Sequence, residues 1–247
     1  MCLNNWGGID HKVLEFHEYV NLFSGKSGSG KSTVMDAIQV ILYGSFSPSF
    51  LNKAADDAKN RRSVLSYLRG EQKDGSANRK DCDFCSVIAL EIEDTGTHII
   101  TCIGIAFEVR KSDSEIKKFV YFSHSGKMPE SEYLTEQGVC YSNQEIKKLV
   151  SARTKSDDNR GKGEVNRIYG SKEAYLGTLY DVILGYIDQN RFITMEKSAI
   201  ALKMTNGTGQ FIRDYMFPKN TSNTIAAISE QLDSYRQIKD KIEDLRK

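Results

Sequence analysis

The chain has 247 residues, 39% hydrophobic and 27% charged, enough for one sizeable core or two small ones beneath a polar surface. A formal net charge of +1 excludes a globally basic chain, so any nucleic-acid contact must come from local patches. No apolar run approaches ~18 residues, the first residues carry neither a basic nor an apolar leader region, and the five cysteines have no framework spacing; together these predict a reducing, cytoplasmic setting without a membrane span.

In chain order, the start reads as β-structure, with Val13-Leu14-Glu15-Phe16 as a short strand and Tyr19-Val20-Asn21-Leu22-Phe23 as a second, buried one. The second strand leads into Gly25-Lys26-Ser27-Gly28-Ser29-Gly30-Lys31-Ser32, which fits G-x-x-x-x-G-K-[ST] at every position, and Thr33 extends it. Glycines let the backbone fold around an anion with its N–H groups inward, and the following helix points its positive end at the same spot. The pattern predicts the phosphates of a nucleotide with Mg²⁺ as ligand. Residues Gly25, Lys26, Ser27, Gly28, Ser29, Gly30, Lys31, Ser32 and Thr33 line the phosphates, Lys31 reaches the β- and γ-phosphates, and the Ser32 hydroxyl binds the metal. A helix is expected over residues 32–43, with Val34, Ile38, Ile41 and Leu42 inward and Gly44 as its stop.

Residues 45–80 are polar and irregular apart from a helical piece around 62–68. Three strands follow, over 86–92, 98–109 and 119–122, rich in β-branched and aromatic residues, and they predict an antiparallel meander. Cys82-Asp83-Phe84-Cys85 lacks a second ligand pair and reads as two thiols at the start of a strand. Gln144 to Val150 begins a helix, and 152–164 reads as a charged, mobile loop. Residues 175–186 form a predicted helix with Leu176, Leu179, Ile183 and Tyr186 on one face. The stretch ending at Asp188 superficially resembles a metal-supporting Walker B strand, but it continues that helical spacing and reads as helix running into a loop. Phe211 to Met216 is a short amphipathic helix. From Asn223 to Lys247, Ile228, Leu232, Tyr235, Ile238, Ile242 and Leu245 fall near heptad spacing. That stretch reads equally as the start of a coiled coil or as an amphipathic helix on its own domain.

Beyond the loop, Ser32 to Gly44 follows a narrower pattern. It resembles the K-S-T-x-x-D-A-I-x-x-x-L-Y-G of the structural-maintenance-of-chromosomes (SMC) ATPases and their SbcC and MukB relatives. The segments 3–9 and 20–25 are similar as well. The JetC-type subunits of Wadjet plasmid-defence complexes are closer still, in Ser27 to Thr33, Arg62 to Gly70 and Phe211 to Met216. Ser27 replaces the Asn of most SMC proteins, which suits the JetC-like branch.

The resemblance implies an α/β P-loop NTPase: the N-terminal lobe of an ABC/SMC-type head with an antiparallel meander over 1–222, then the start of a coiled-coil arm over 223–247. The signature motif and Walker B strand of such heads lie beyond the arm and are not found in this sequence. It also implies ATP as the nucleotide; as a half-head, the chain is expected to hydrolyse ATP only within a full dimer. The implied partners are a second copy of the head, kleisin and winged-helix-type subunits, and DNA without sequence preference, in a cytoplasmic, nucleoid-associated setting. The implied activity is ATP-driven DNA loop extrusion in anti-plasmid defence. Gln189 and Gln210 are candidates for the glutamine of the family's Q-loop. Other classes stay open: a self-contained P-loop kinase, or a non-catalytic nucleotide-binding fragment.

Two basic stretches are candidate DNA contacts, one over 53–80 that includes Arg61, Arg62 and Arg69, and one over 147–172. Each also reads as an ordinary solvated loop.

Overall fold

Alternation of apolar residues builds the middle layer of the protein. In the computed structural model, residues 1–26, 28–47, 63–72, 75–156 and 165–200 are described. The chain divides into two compact units, Met1–Phe192 and Ile193–Lys247. In the first, strands β1 (Cys2–Trp6), β2 (Ile9–Val13), β3 (Phe84–Glu93), β4 (Ile100–Val109), β5 (Lys118–Ser125) and β6 (Arg167–Tyr169) form one sheet in the order β2-β1-β3-β4-β5-β6. Every neighbouring pair is antiparallel. The predicted meander is β3-β4-β5, with Val87 opposite Ala106 and Gly104 opposite both Ala89 and Phe122.

Because side chains alternate across a strand, the sheet presents two apolar faces. One face carries Leu3, Trp6, Ile88, Ile103, Ile105, Phe107 and Tyr121. It is covered by α1 (Lys31–Tyr43), α2 (Val64–Arg69), α4 (Lys172–Gly177) and a π-helical stretch, Thr178–Ile183. The other carries Cys2, Val87, Ala89, Ala106 and Phe122 beneath Tyr133 and α3 (Asn143–Ser156). Ser142 and Glu145 start α3 as a reciprocal cap: the Ser142 N–H donates to Glu145 Oε2 at 2.6 Å, and the Glu145 N–H to Ser142 Oγ at 3.4 Å.

The C-terminal end of α1 is closed by three phenols. Tyr175 donates to Ile41 O at 3.0 Å, Tyr180 to Leu42 O at 3.0 Å and Tyr121 to Gly44 O at 2.7 Å. These satisfy carbonyls that a helix end leaves without partners. Burial pushes Tyr121 and Tyr180 up to about 12 and raises Tyr175 well above the ordinary phenol value, so the phenols remain neutral donors at physiological pH.

Several expectations are corrected. Tyr19 to Phe23 forms no strand; Tyr19 and Leu22 are 87% and 90% exposed. The segment has strand-like composition, but a strand also needs a ladder, and the six strands pair among themselves. Only Phe23 packs on the core. The first strands are β1 and β2 rather than 13–16. Sequence patterning hides β1 because Asn4, at its centre, is fully buried, with its amide donating to Glu132 O at 2.8 Å.

On α1 Val34 and Ile41 are buried and Ile38 and Leu42, half-buried, pack against the same core, as expected; the expectation missed the buried Asp36, Ala37, Gln39, Val40 and Tyr43. Residues 152–156, expected as part of a loop, belong to α3, which runs to Ser156 with Arg153 donating to Lys127 O at 3.2 Å; the rest of that stretch, 157–164, lies outside the described residues. The 175–186 helix breaks into α4 and the π-helical stretch. Leu176, Leu179 and Ile183 pack on the core as expected, but the π-helical stretch ends at Ile183, and Tyr186, beyond it, lies 85% exposed with φ of 61°. Asp188 stands before α5 (Gln189–Ile200) and accepts from the Arg191 N–H at 2.8 Å. The predicted helix does run into a loop, over 184–188, as expected, and Asp188 caps the next helix, which was not expected. Residues 211–216, the 223–247 arm and the 222/223 boundary lie outside the described residues.

Among the described residues no helix is long and apolar enough to cross a membrane. Cys82 is exposed just before β3 and Cys85 sits within it, where burial raises its thiol to about 11.

Candidate functional site

The phosphate loop opens directly into α1. Gly30 precedes the helix in the left-handed region at φ 87°, and no side chain caps this end. The first intrahelical bond runs from the Val34 N–H to Gly30 O at 3.1 Å, so the Lys31, Ser32 and Thr33 amides have no partner within the helix. The first turn carries no acidic residue.

Lys31 Nζ reaches back across the loop. It donates to Gly25 O at 2.7 Å, Lys26 O at 2.9 Å and Ser29 Oγ at 3.3 Å. Gly25, Lys26, Gly28, Ser29 and Ser32 are exposed, while Gly30, Lys31 and Thr33 are half-buried; Ser27 is not among the described residues. A fixed ammonium, uncapped amides and an exposed hydroxyl converge with no carboxylate among them. This donor set fits a nucleotide triphosphate with Mg²⁺. Lys31 and the amides would take the phosphates, and Ser32 would hold the metal.

Sequence reasoning missed the residues that seat this loop on the sheet. Trp6, fully buried, donates from Nε1 to Thr33 O at 2.9 Å. Gly7, in the β1–β2 turn, lies so close that a Cβ there would stand 2.5 Å from Thr33 Cγ2. Tyr67 stacks on Trp6 at 5.3 Å and donates its hydroxyl to the buried Asp36 carboxylate. Arg79, also buried, donates to Leu68 O at 2.9 Å, to Gly7 O and to Asp10 Oδ1 at 2.7 Å. One signal was readable: an Asp on the apolar side of α1 demands a buried donor.

The other candidates separate. Arg69 turns toward the β4–β5 connection, where Nη2 donates to Asp113 O at 2.6 Å and Lys111 O at 3.1 Å. Arg61 and Arg62 lie outside the described residues. In the second basic stretch, α3 exposes Lys147, Lys148 and Lys155 with Gln144 and Ser151 along one side. Gln189 is the first residue of α5, and Gln210 lies outside the described residues. A separate cleft of about 550 Å³ lies among Ile92, Ile99, Ile100, Val182 and Ile183, and no loop residue lines it.

A family model described as an AAA domain (AAA_23) matches residues 1–247. No curated protein matches the chain.

Proposed function

Since the chain belongs to the AAA domain family and is therefore a nucleotide-binding P-loop protein of the ATPase class, we propose that it serves as the ATP-binding half of an SMC-like head in a DNA motor. The observation that carries the reading is the complete phosphate loop running into α1, with Lys31 already anchored across it. The Asp36-Ala37-Ile38 continuation and the antiparallel sheet under α1 support the SMC-like branch. In this reading, two copies close around ATP·Mg²⁺, the signature and Walker B groups come from a further segment, and kleisin and winged-helix-type subunits complete the complex. The cycle moves DNA in the cytoplasm, in plasmid defence.

Calorimetric titration tests the first step. The chain is expected to bind ATP·Mg²⁺, and Lys31→Ala to weaken binding at least about tenfold, because it removes a charge-assisted contact to phosphate. Phosphate release by the isolated chain should stay negligible. Sustained turnover that Lys31→Ala abolishes would reject the half-head and favour a self-contained enzyme. No binding at all would reject the nucleotide role.

The DNA step has its own check. Duplex affinity should be independent of sequence and fall with salt. Replacing Arg61 and Arg62, or Lys147, Lys148 and Lys155, with Ala should flatten the log–log salt slope by about 0.9 per lost phosphate contact. Unchanged affinity and slope in both sets would remove DNA as the partner.

A further inference from the structure

Directional bonds add to apolar packing a narrow constraint on where a helix sits. At its C-terminal end α1 has the three phenols described above. At its loop end, too, directional bonds from described residues reach it from outside the helix. Trp6 Nε1 bonds the Thr33 carbonyl at 2.9 Å, and the Tyr67 hydroxyl bonds Asp36, one turn further along. The two donors are themselves locked, with rings stacked at 5.3 Å and 15°. The Gly7 N–H also donates to Tyr67 O at 2.9 Å.

Asp36 is the telling residue. A buried carboxylate is a weak source of stability, because its desolvation offsets what its bonds return. In some proteins such a group instead specifies one arrangement of the elements around it. Here the arrangement specified is the seat of α1 against α2 and the β1–β2 turn, one turn from Lys31 and Ser32.

We propose that Trp6, Tyr67 and Asp36 form a clamp that sets the position of the phosphate loop, with Tyr67 as a positioning residue for nucleotide. The inference rests on the nucleotide reading above and adds to it a route by which α2 and the β1–β2 turn govern the loop. Tyr67→Phe keeps the stack and removes only the hydroxyl bond. Asp36→Asn keeps an acceptor for that hydroxyl.

The test compares wild type, Tyr67→Phe and Asp36→Asn, each confirmed folded by circular dichroism. ATP·Mg²⁺ affinity is read by calorimetry, and amide exchange over residues 31–37 is read by mass spectrometry without nucleotide. Tyr67→Phe should bind about tenfold more weakly and exchange faster over 31–37. Asp36→Asn should stay within about twofold of wild type on both readouts. A role in stability alone would lower the urea midpoint and leave the affinity and local exchange of the folded protein unchanged; that result overturns the clamp. If wild type itself binds no ATP, the nucleotide reading fails, and the exchange comparison alone upholds or overturns the clamp.

Discussion

Gly104→Val is expected to cost about 3 kcal/mol or more and to leave little soluble protein. Gly104 is central in β4, opposite Ala89 on one side and Phe122 on the other. A Cβ there would stand 2.4 Å from Ile88 O and 2.9 Å from Ala89 Cα, both backbone atoms that cannot rotate away. Relief requires prising β3 from β4, the pairing at the centre of the sheet. Even Gly104→Ala meets these contacts, so its urea midpoint should drop clearly. A Gly104→Ala protein melting within experimental error of wild type would show that the strands part easily.

Arg79→Ala should cost about 3 kcal/mol, and its origin can be apportioned. The ion pair with Asp10 is minor, because the Asp10 side chain is 82% exposed and solvent screens such pairs to about 1 kcal/mol or less. The larger loss is at the carbonyls of Leu68 and Gly7, which accept from the buried guanidinium. Removing it leaves a cavity beside the Phe84 ring, over which it lies. Burial already lowers the guanidinium pKa, and only its forked geometry serves all these acceptors. Chemical denaturation should therefore rank Asp10→Ala near wild type, Arg79→Lys clearly destabilised and Arg79→Ala worst. Equal losses for Asp10→Ala and Arg79→Ala would return the effect to the ion pair.

What was legible in the sequence follows from which interactions are local. The phosphate loop, α1 with its Gly44 stop, and the β3-β4-β5 meander were readable because glycine geometry, helix periodicity and strand alternation are written within a few residues. Tyr19 to Phe23 misled because strand composition says nothing about a pairing partner. β1 was obscured by Asn4, whose buried side chain is satisfied by His11 on β2 and by Glu132, far along the chain. In the 175–186 stripe Leu176, Leu179 and Ile183 hold their places on the core, and Tyr186 departs because the helical stretch ends at Ile183. In the candidate site, the ligand-facing residues were visible in one contiguous motif. Their supports, Trp6, Tyr67 and Arg79, were not, since each acts through a partner distant in sequence.

Trp6 has one more consequence. It is the chain's single tryptophan, sealed from solvent and one hydrogen bond from the residue that follows Ser32. Its emission comes from one environment, without contributions from other indoles. The protein thus carries a built-in optical label on its nucleotide loop. Rearrangement there can be followed in real time by fluorescence, with no dye attached and no residue changed.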